Sequence, residues 1–375
     1  MAGPGSDASP TTNSCSPQNP QTISLSHSNN INSFNQFIGD QQVETILLAA
    51  GQGVQWLAAA LSMNGADVNA RTHDGDSPLL LASKKGYETA VHQLLRAENV
   101  DPDCRNKINS TPLIEAAAKG YISIVRLLLE EGCDVNAQNI FGNSPLSLAV
   151  EYGHDLAAEE ILKRQELNVN PKQWDGNYCG RTPLHWAVVK GYENMVRLLL
   201  VRGADINARD KASQTPLIEA AAIGHLSIVR LLLEEGCDIN VQNIFGNSPL
   251  SLATEYGHDL VVVELLKHQK IYLNPKQWDS KYCGRTPLHW AAEKGYGKIV
   301  QLLLGRGADI NARGKTSRTP LTEAAAKGHT DVVQLLLKNG ADVNIQTCDG
   351  HWPLSLAIEN EHHLVIEEIF KHKAK

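Results

Sequence analysis

A phrase that returns every 33 to 38 residues constrains this chain more than any other feature. Small-Pro-Leu units begin at Ser77, Thr111, Ser144, Thr182, Thr215, Ser248, Thr286 and Thr319, with a variant at Trp352. A second phrase closes each unit, as in GADVNA at 65–70, GCDVNA at 132–137 and GADINA at 203–208 and 307–312. Repetition at such a period marks a supersecondary unit that cannot bury its apolar face alone and must stack on its neighbours.

One unit shows why. In RTPLHWAVVKGYENMVRLLLVRGADINA, Thr182 is an N-cap candidate and Pro183 stands where a helix tolerates it best. Gly191 stops this short helix, and a second one is expected from about Glu193 to Val201, carrying Met195, Val196 and Leu198–Leu200. Gly203 suits a left-handed helix end, and the polar residues after it read as a turn into the next unit.

The TPLHWA…G…VRLLL…GADINA pattern resembles the ankyrin repeat over roughly residues 41 to 375, about ten units. The resemblance implies an all-α solenoid of antiparallel helix pairs with projecting β-turn fingers. It also implies binding of other proteins through fingertips and concave inner helices, with no intrinsic catalysis. In this family those positions vary with the partner. Here the inner-helix positions are Glu151, Tyr152, Val189, Lys190, Glu255, Tyr256, Glu293 and Lys294.

A higher period overlies the first. Residues 110–213 and 214–317 are near copies, each built from units of 33, 38 and 33 residues. The five extra residues of the long unit fall in NPKQWDGNYCG and again in NPKQWDSKYCG, so a lengthened finger is presented twice. Trp174, Tyr178, Trp278 and Tyr282 lie in it, and each Trp reads either as a pin against the array or as an anchor for a partner. Ile140–Phe141 and Ile244–Phe245 fall at ordinary fingertips, where polar residues are usual, and an exposed apolar pair there points to binding.

Residues 1–40 are a different material. Ser, Asn, Gln, Pro and Thr dominate, too polar to fold alone, so a disordered tail is expected. Its Asn-rich stretch SHSNNINSFNQFIGD, with spaced Ile31, Phe34, Phe37 and Ile38, raises self-assembly as a second reading. Val43–Leu61 is helically patterned without the Thr-Pro-Leu phrase and is expected to form the first helix pair.

Chemistry-bearing motifs give way to the repeat. ARGKTS at 312–317 lacks the first glycine of a phosphate loop, since Asp309 occupies that place, and it lies in a finger. His185 and His289 belong to TPLH phrases, where the resemblance implies a structural hydrogen bond. His362 and His363 are adjacent and point about 100° apart on a helix, so they do not chelate. Cys133 and Cys237 replace the Ala of GAD as small fillers, whereas Cys179 and Cys283 lie on the long fingers. Seven cysteines without a C-x-x-C suggest neither a disulfide framework nor zinc. No cofactor and no metal are expected.

A net charge of −7 and a pI near 6.1 argue against binding a phosphate backbone, so no nucleic-acid partner is expected. No apolar run approaches a membrane span, and MAGPGSDASP has neither a basic start nor an apolar stretch of a secretory signal. The reading is a monomeric, cytoplasmic adaptor for one or more proteins, with the nucleus left open. The alternatives are a signalling or regulatory subunit whose tail assembles while the repeats sense a ligand, and a regulatory partner of an enzyme.

Overall fold

The computed structural model describes residues 67–174, 176, 179–278 and 284–374. The tail, the helix pair expected at Val43–Leu61, and Tyr178, Tyr282 and Cys283 lie outside the described residues.

Among the described residues nine helix pairs follow one another. They are α1 (Pro78–Lys85) with α2 (Glu88–Leu95), α3 (Pro112–Lys119) with α4 (Ile122–Glu130), and α5 (Pro145–Glu151) with α6 (Asp155–Leu162). Next come α7 (Pro183–Lys190) with α8 (Glu193–Val201), α9 (Pro216–Ile223) with α10 (Leu226–Glu234), and α11 (Pro249–Glu255) with α12 (Asp259–Leu266). The last are α13 (Pro287–Lys294) with α14 (Gly297–Gly305), α15 (Pro320–Lys327) with α16 (Thr330–Lys338), and α17 (Pro353–Glu359) with α18 (His363–Lys373). No strand forms among the described residues.

The unit phrase explains each pair. Thr111 Oγ1 accepts from the Ile114 amide, satisfying one orphan donor at the start of α3, and Pro112 fits because its nitrogen has no proton to place. Gly191 ends α7 at φ 75°, a left-handed conformation that lets its amide reach back to the helix carbonyls. The second helix begins at once and returns antiparallel.

First helices stack on first helices and second on second, in chain order along the array. One continuous core results, built from Leu, Ile, Val and Ala: Leu113, Leu128, Leu146, Leu184 and Leu199 are all fully buried. Scarce aromatics are no handicap, because small and branched side chains fill a narrow helix-to-helix gap.

The fingers form a second connected layer. The Lys107 amide donates to Asp74 O, Ile140 to Ile108 O, Trp174 to Phe141 O, Lys211 to Cys179 O, Ile244 to Ala212 O, Trp278 to Phe245 O and Cys348 to Thr316 O. These bonds run from finger to finger at 2.7–3.1 Å. Each tip is therefore held by its neighbours as well as by its own helices. Two small apolar clusters lie beneath them, Ile114–Ala137–Leu148 and Ile218–Val241–Leu252.

Candidate functional site

The fingertip at Asn139–Asn143 is shaped by one side chain. Asn139 is buried, and its Oδ1 accepts from the amides of Phe141 and Asn143, both at 3.0 Å. The carboxamide closes the turn from inside and drives the two residues after it outward. Ile140 is 53% exposed and Phe141 36%. Asn243 builds the same turn, leaving Ile244 and Phe245 half-exposed.

Between this tip and the inner helices lies a groove of about 620 Å³, lined by Ile114, Glu115, Lys119, Phe141, Leu148 and Tyr152 among others. Tyr152 follows α5 and is 57% exposed, as is Tyr256 after α11. Phe141 and Tyr152, far apart in the unit, thus share one surface. Lys190 and Lys294, at the ends of α7 and α13, are exposed one unit farther on.

Trp174 and Trp278 join the same surface with a divided role. Their amides donate to the Phe141 and Phe245 carbonyls of the preceding fingertip. The Trp278 indole donates to Ile244 O at 2.8 Å. The Trp174 ring lies on Gly142, where a Cβ would sit 2.2 Å from the indole, so only glycine leaves room for it. Even so both rings remain more than half exposed, at 57% and 54%. One face of each clasps the neighbouring tip and the other faces outward.

The long finger is fastened by a residue that sequence reasoning passed over. Gln173 is buried, and its Oε1 accepts from the Trp186 indole at 2.9 Å. Its Nε2 donates to Asn143 Oδ1 at 2.7 Å and to Glu151 at 3.2 Å. Its backbone closes the neck of the finger with Gly180 and Arg181. Gln277 repeats this with Trp290, Asn247, Gly284 and Arg285. The available signal was the buried Trp itself, whose N–H requires an acceptor. Glu151 and Glu255 are half-buried, and burial raises the Glu151 carboxyl above its usual range.

Beneath the finger lies an ionic layer. The Arg181 guanidinium stacks 5.1 Å from the Trp186 ring and meets Glu219 at 2.5 Å. Arg285 stacks on Trp290 at 4.7 Å, and pairs with Glu293 and with Glu323. These groups are mostly buried and bind the long unit to its successor.

His185, His289, Cys133 and Cys237 serve the packing of the repeat. Thr182 Oγ1 lies 2.9 Å from His185 Nδ1, and Gln214 O lies 3.1 Å from Nε2. Burial lowers the His185 pKa to about 4, and His289, in the same setting, matches it. Both rings are neutral at pH 7 and sealed from solvent. The thiols of Cys133 and Cys237 are pushed up to about 12 by burial, which keeps them protonated and unreactive. Among the described residues no three metal-ligating side chains cluster, and no helix is long and apolar enough to cross a membrane.

A family model for ankyrin repeats matches residues 46–139, 131–210, 217–314 and 312–375. The chain belongs to the ankyrin-repeat family. It is similar to NF-kappa-B inhibitor alpha of Sus scrofa, 37% identical over 144 residues, which cover 37% of this chain and 46% of that protein. It is also similar to the putative ankyrin repeat protein YahD of Escherichia coli K12, at 34% over 175 residues, 44% of this chain and 82% of that one. The human B-cell lymphoma 3 protein matches at 32% over 143 residues, 36% of this chain and 31% of that protein. The match thus spans under half the length of the NF-kappa-B inhibitor.

Proposed function

We propose that this ankyrin-repeat chain is a non-catalytic adaptor that binds partner proteins through its fingertips and inner-helix ridge. The surface comprises Ile140, Phe141, Glu151, Tyr152, Trp174 and Lys190, and in the second block Ile244, Phe245, Glu255, Tyr256, Trp278 and Lys294. Tyr178 and Tyr282 are assigned to it from their place in the long finger.

The observation that carries this reading is the continuity of an exposed Ile-Phe tip with a groove of about 620 Å³ and an exposed tyrosine. Apolar and aromatic groups on a monomer's surface are the residue types that anchor interfaces. The scaffold suits them: finger-to-finger bonds fix the tips before a partner arrives, so binding orders few groups. Burial of His185, His289, Cys104 and Cys133 supports the non-catalytic part of the reading. NF-kappa-B inhibitor alpha is, by its name, an inhibitor of another protein, which supports a regulatory use of this surface. We assign its action to the cytoplasm, with the nucleus as the alternative.

The test is affinity purification with the full chain against a variant carrying Phe141→Ala, Tyr152→Ala, Phe245→Ala and Tyr256→Ala. The wild type retains a specific protein and the variant loses it while keeping its helical circular dichroism. Equal retention by both would refute the assignment of this face.

A further inference from the structure

The two 104-residue blocks have not diverged evenly. From Gln138 to Leu156 they differ at one position only, Val150 against Thr254, and that position is buried. Elsewhere the exposed residues are mixed: Glu166 is Lys270 in the second copy, Asn168 is Tyr272 and Val201 is Gly305, whereas Arg126 and Glu130 of α4 persist as Arg230 and Glu234. Burial explains a preserved core. It does not explain why exposed Ile140, Phe141 and Tyr152 persist as Ile244, Phe245 and Tyr256.

The degree of exposure persists too. The fingertip isoleucines are 53% exposed in both blocks and the tyrosines 57% in both. In the partial third block Cys348, Asp349 and Asn360 occupy the three positions, so the repeat fold itself has no need of an Ile-Phe tip and a ridge tyrosine.

Resting on the protein-binding reading above, we infer that the array carries two grips with the same Ile-Phe tip and ridge tyrosine, differing at the groove wall where Lys119 is replaced by Ile223, and that its partner is a protein chain bearing one short segment twice in tandem. The inner helices stack in one direction, α5 on α7, α7 on α9 and α9 on α11. The grips are therefore displayed in the same orientation. A tandem repeat along one chain presents its copies that way, whereas the arms of a two-fold dimer run in opposite directions. Three stacking steps of 8–10 Å set the grips roughly 25–30 Å apart.

The charges on the ridge define the segment further. Its acids are already engaged: Glu151 by Gln173, Glu219 by Arg181, and Glu293 and Glu323 by Arg285. Lys190 and Lys294 stand one unit beyond each tyrosine and are exposed, and the Lys190 charge also reaches Glu151. The complement is an apolar anchor for the Phe-Tyr groove with an acidic residue beside it.

The probe is a peptide selected from a random display library on the full chain, then measured by calorimetry. Two molecules bind the wild type. One binds the Phe141→Ala, Tyr152→Ala variant, one binds the Phe245→Ala, Tyr256→Ala variant, and none binds the combined variant. Two copies joined head to tail by a Gly/Ser linker of about 30 residues, enough to span the grips, bind one to one and on the order of 100-fold tighter than the single peptide. Should a phenylalanine variant lose helicity, Tyr152→Ser and Tyr256→Ser, at the more exposed positions, replace it. A single binding site lost in only one of the two variants overturns the tandem inference and leaves the adaptor reading standing. A tandem that binds no tighter than its single copy likewise overturns it. Peptides indifferent to the combined variant overturn both.

Discussion

Gln173→Leu removes the fastening of the first long finger at nearly constant volume. The leucine keeps the space filled but offers Trp186 no acceptor and Asn143 no donor. Trp186 is 6% exposed, so its indole N–H cannot turn to water. An unsatisfied buried polar group of this kind costs about 1–3 kcal/mol, and the bond to Asn143 adds a further ~0.5–1.5 kcal/mol. A loss of about 2–4 kcal/mol is expected, felt locally because each unit contacts only its neighbours. Hydrogen exchange read by mass spectrometry on peptides spanning 170–190 reports it. Gly180, whose amide closes the finger neck, should exchange at least roughly tenfold faster, since about 1.4 kcal/mol is a factor of ten. The matching stretch 274–294 serves as an internal control and should not change. Unaltered exchange at 170–190 would show that Gln173 does not fasten the finger. Equal acceleration in both stretches would show that the array opens as one body, against the local account.

Further outcomes follow from the same geometry. Arg181→Leu strands Glu219, a carboxylate only 9% exposed, and should cost about 3–5 kcal/mol, whereas Arg126→Ala at the exposed pair with Glu160 should cost less than about 1 kcal/mol; denaturant titration compares them. Neutral buried His185 and His289, each near 4 when folded against about 6.5 unfolded, bind fewer protons in the fold, so stability falls as pH drops from 6.5 towards 4. A His185→Ala, His289→Ala variant is less stable at pH 7 but shows a flatter acid limb in chemical melts, and an unchanged limb would remove this cause. Phe141→Ala and Phe245→Ala should shift stability by no more than about 1 kcal/mol while weakening partner binding by about 2 kcal/mol or more, measured by melts and calorimetry respectively.

The fold was legible because its signals are local and periodic. Thr182-Pro183 and Gly191 mark the ends of a helix by backbone chemistry alone, and α7 and α8 run where that chemistry puts them. The fingertip exposure of Ile140 and Phe141 was legible from their place in the period. What lay hidden depends on contacts across units. Gln173 meets Trp186 thirteen residues on and Asn143 thirty residues back, and Arg181 meets Glu219 in the next unit. Such partners carry no pattern along the chain. Trp174 was ambiguous for a physical reason: a residue clasping a neighbour with one face and facing outward with the other satisfies both readings. Its fastening role falls chiefly to the adjacent Gln173.

The finger and inner-helix face is the surface proposed to meet the partner. A photo-crosslinking residue placed singly at Ile140, Ile244 or Val201, the last on an outer helix and 82% exposed, tests it directly in extracts of the source cells. Ile140 and Ile244 should capture the same protein, and Val201 none of it. Capture of that protein at Val201, with none at the two fingertips, would place the partner on the outer helices instead.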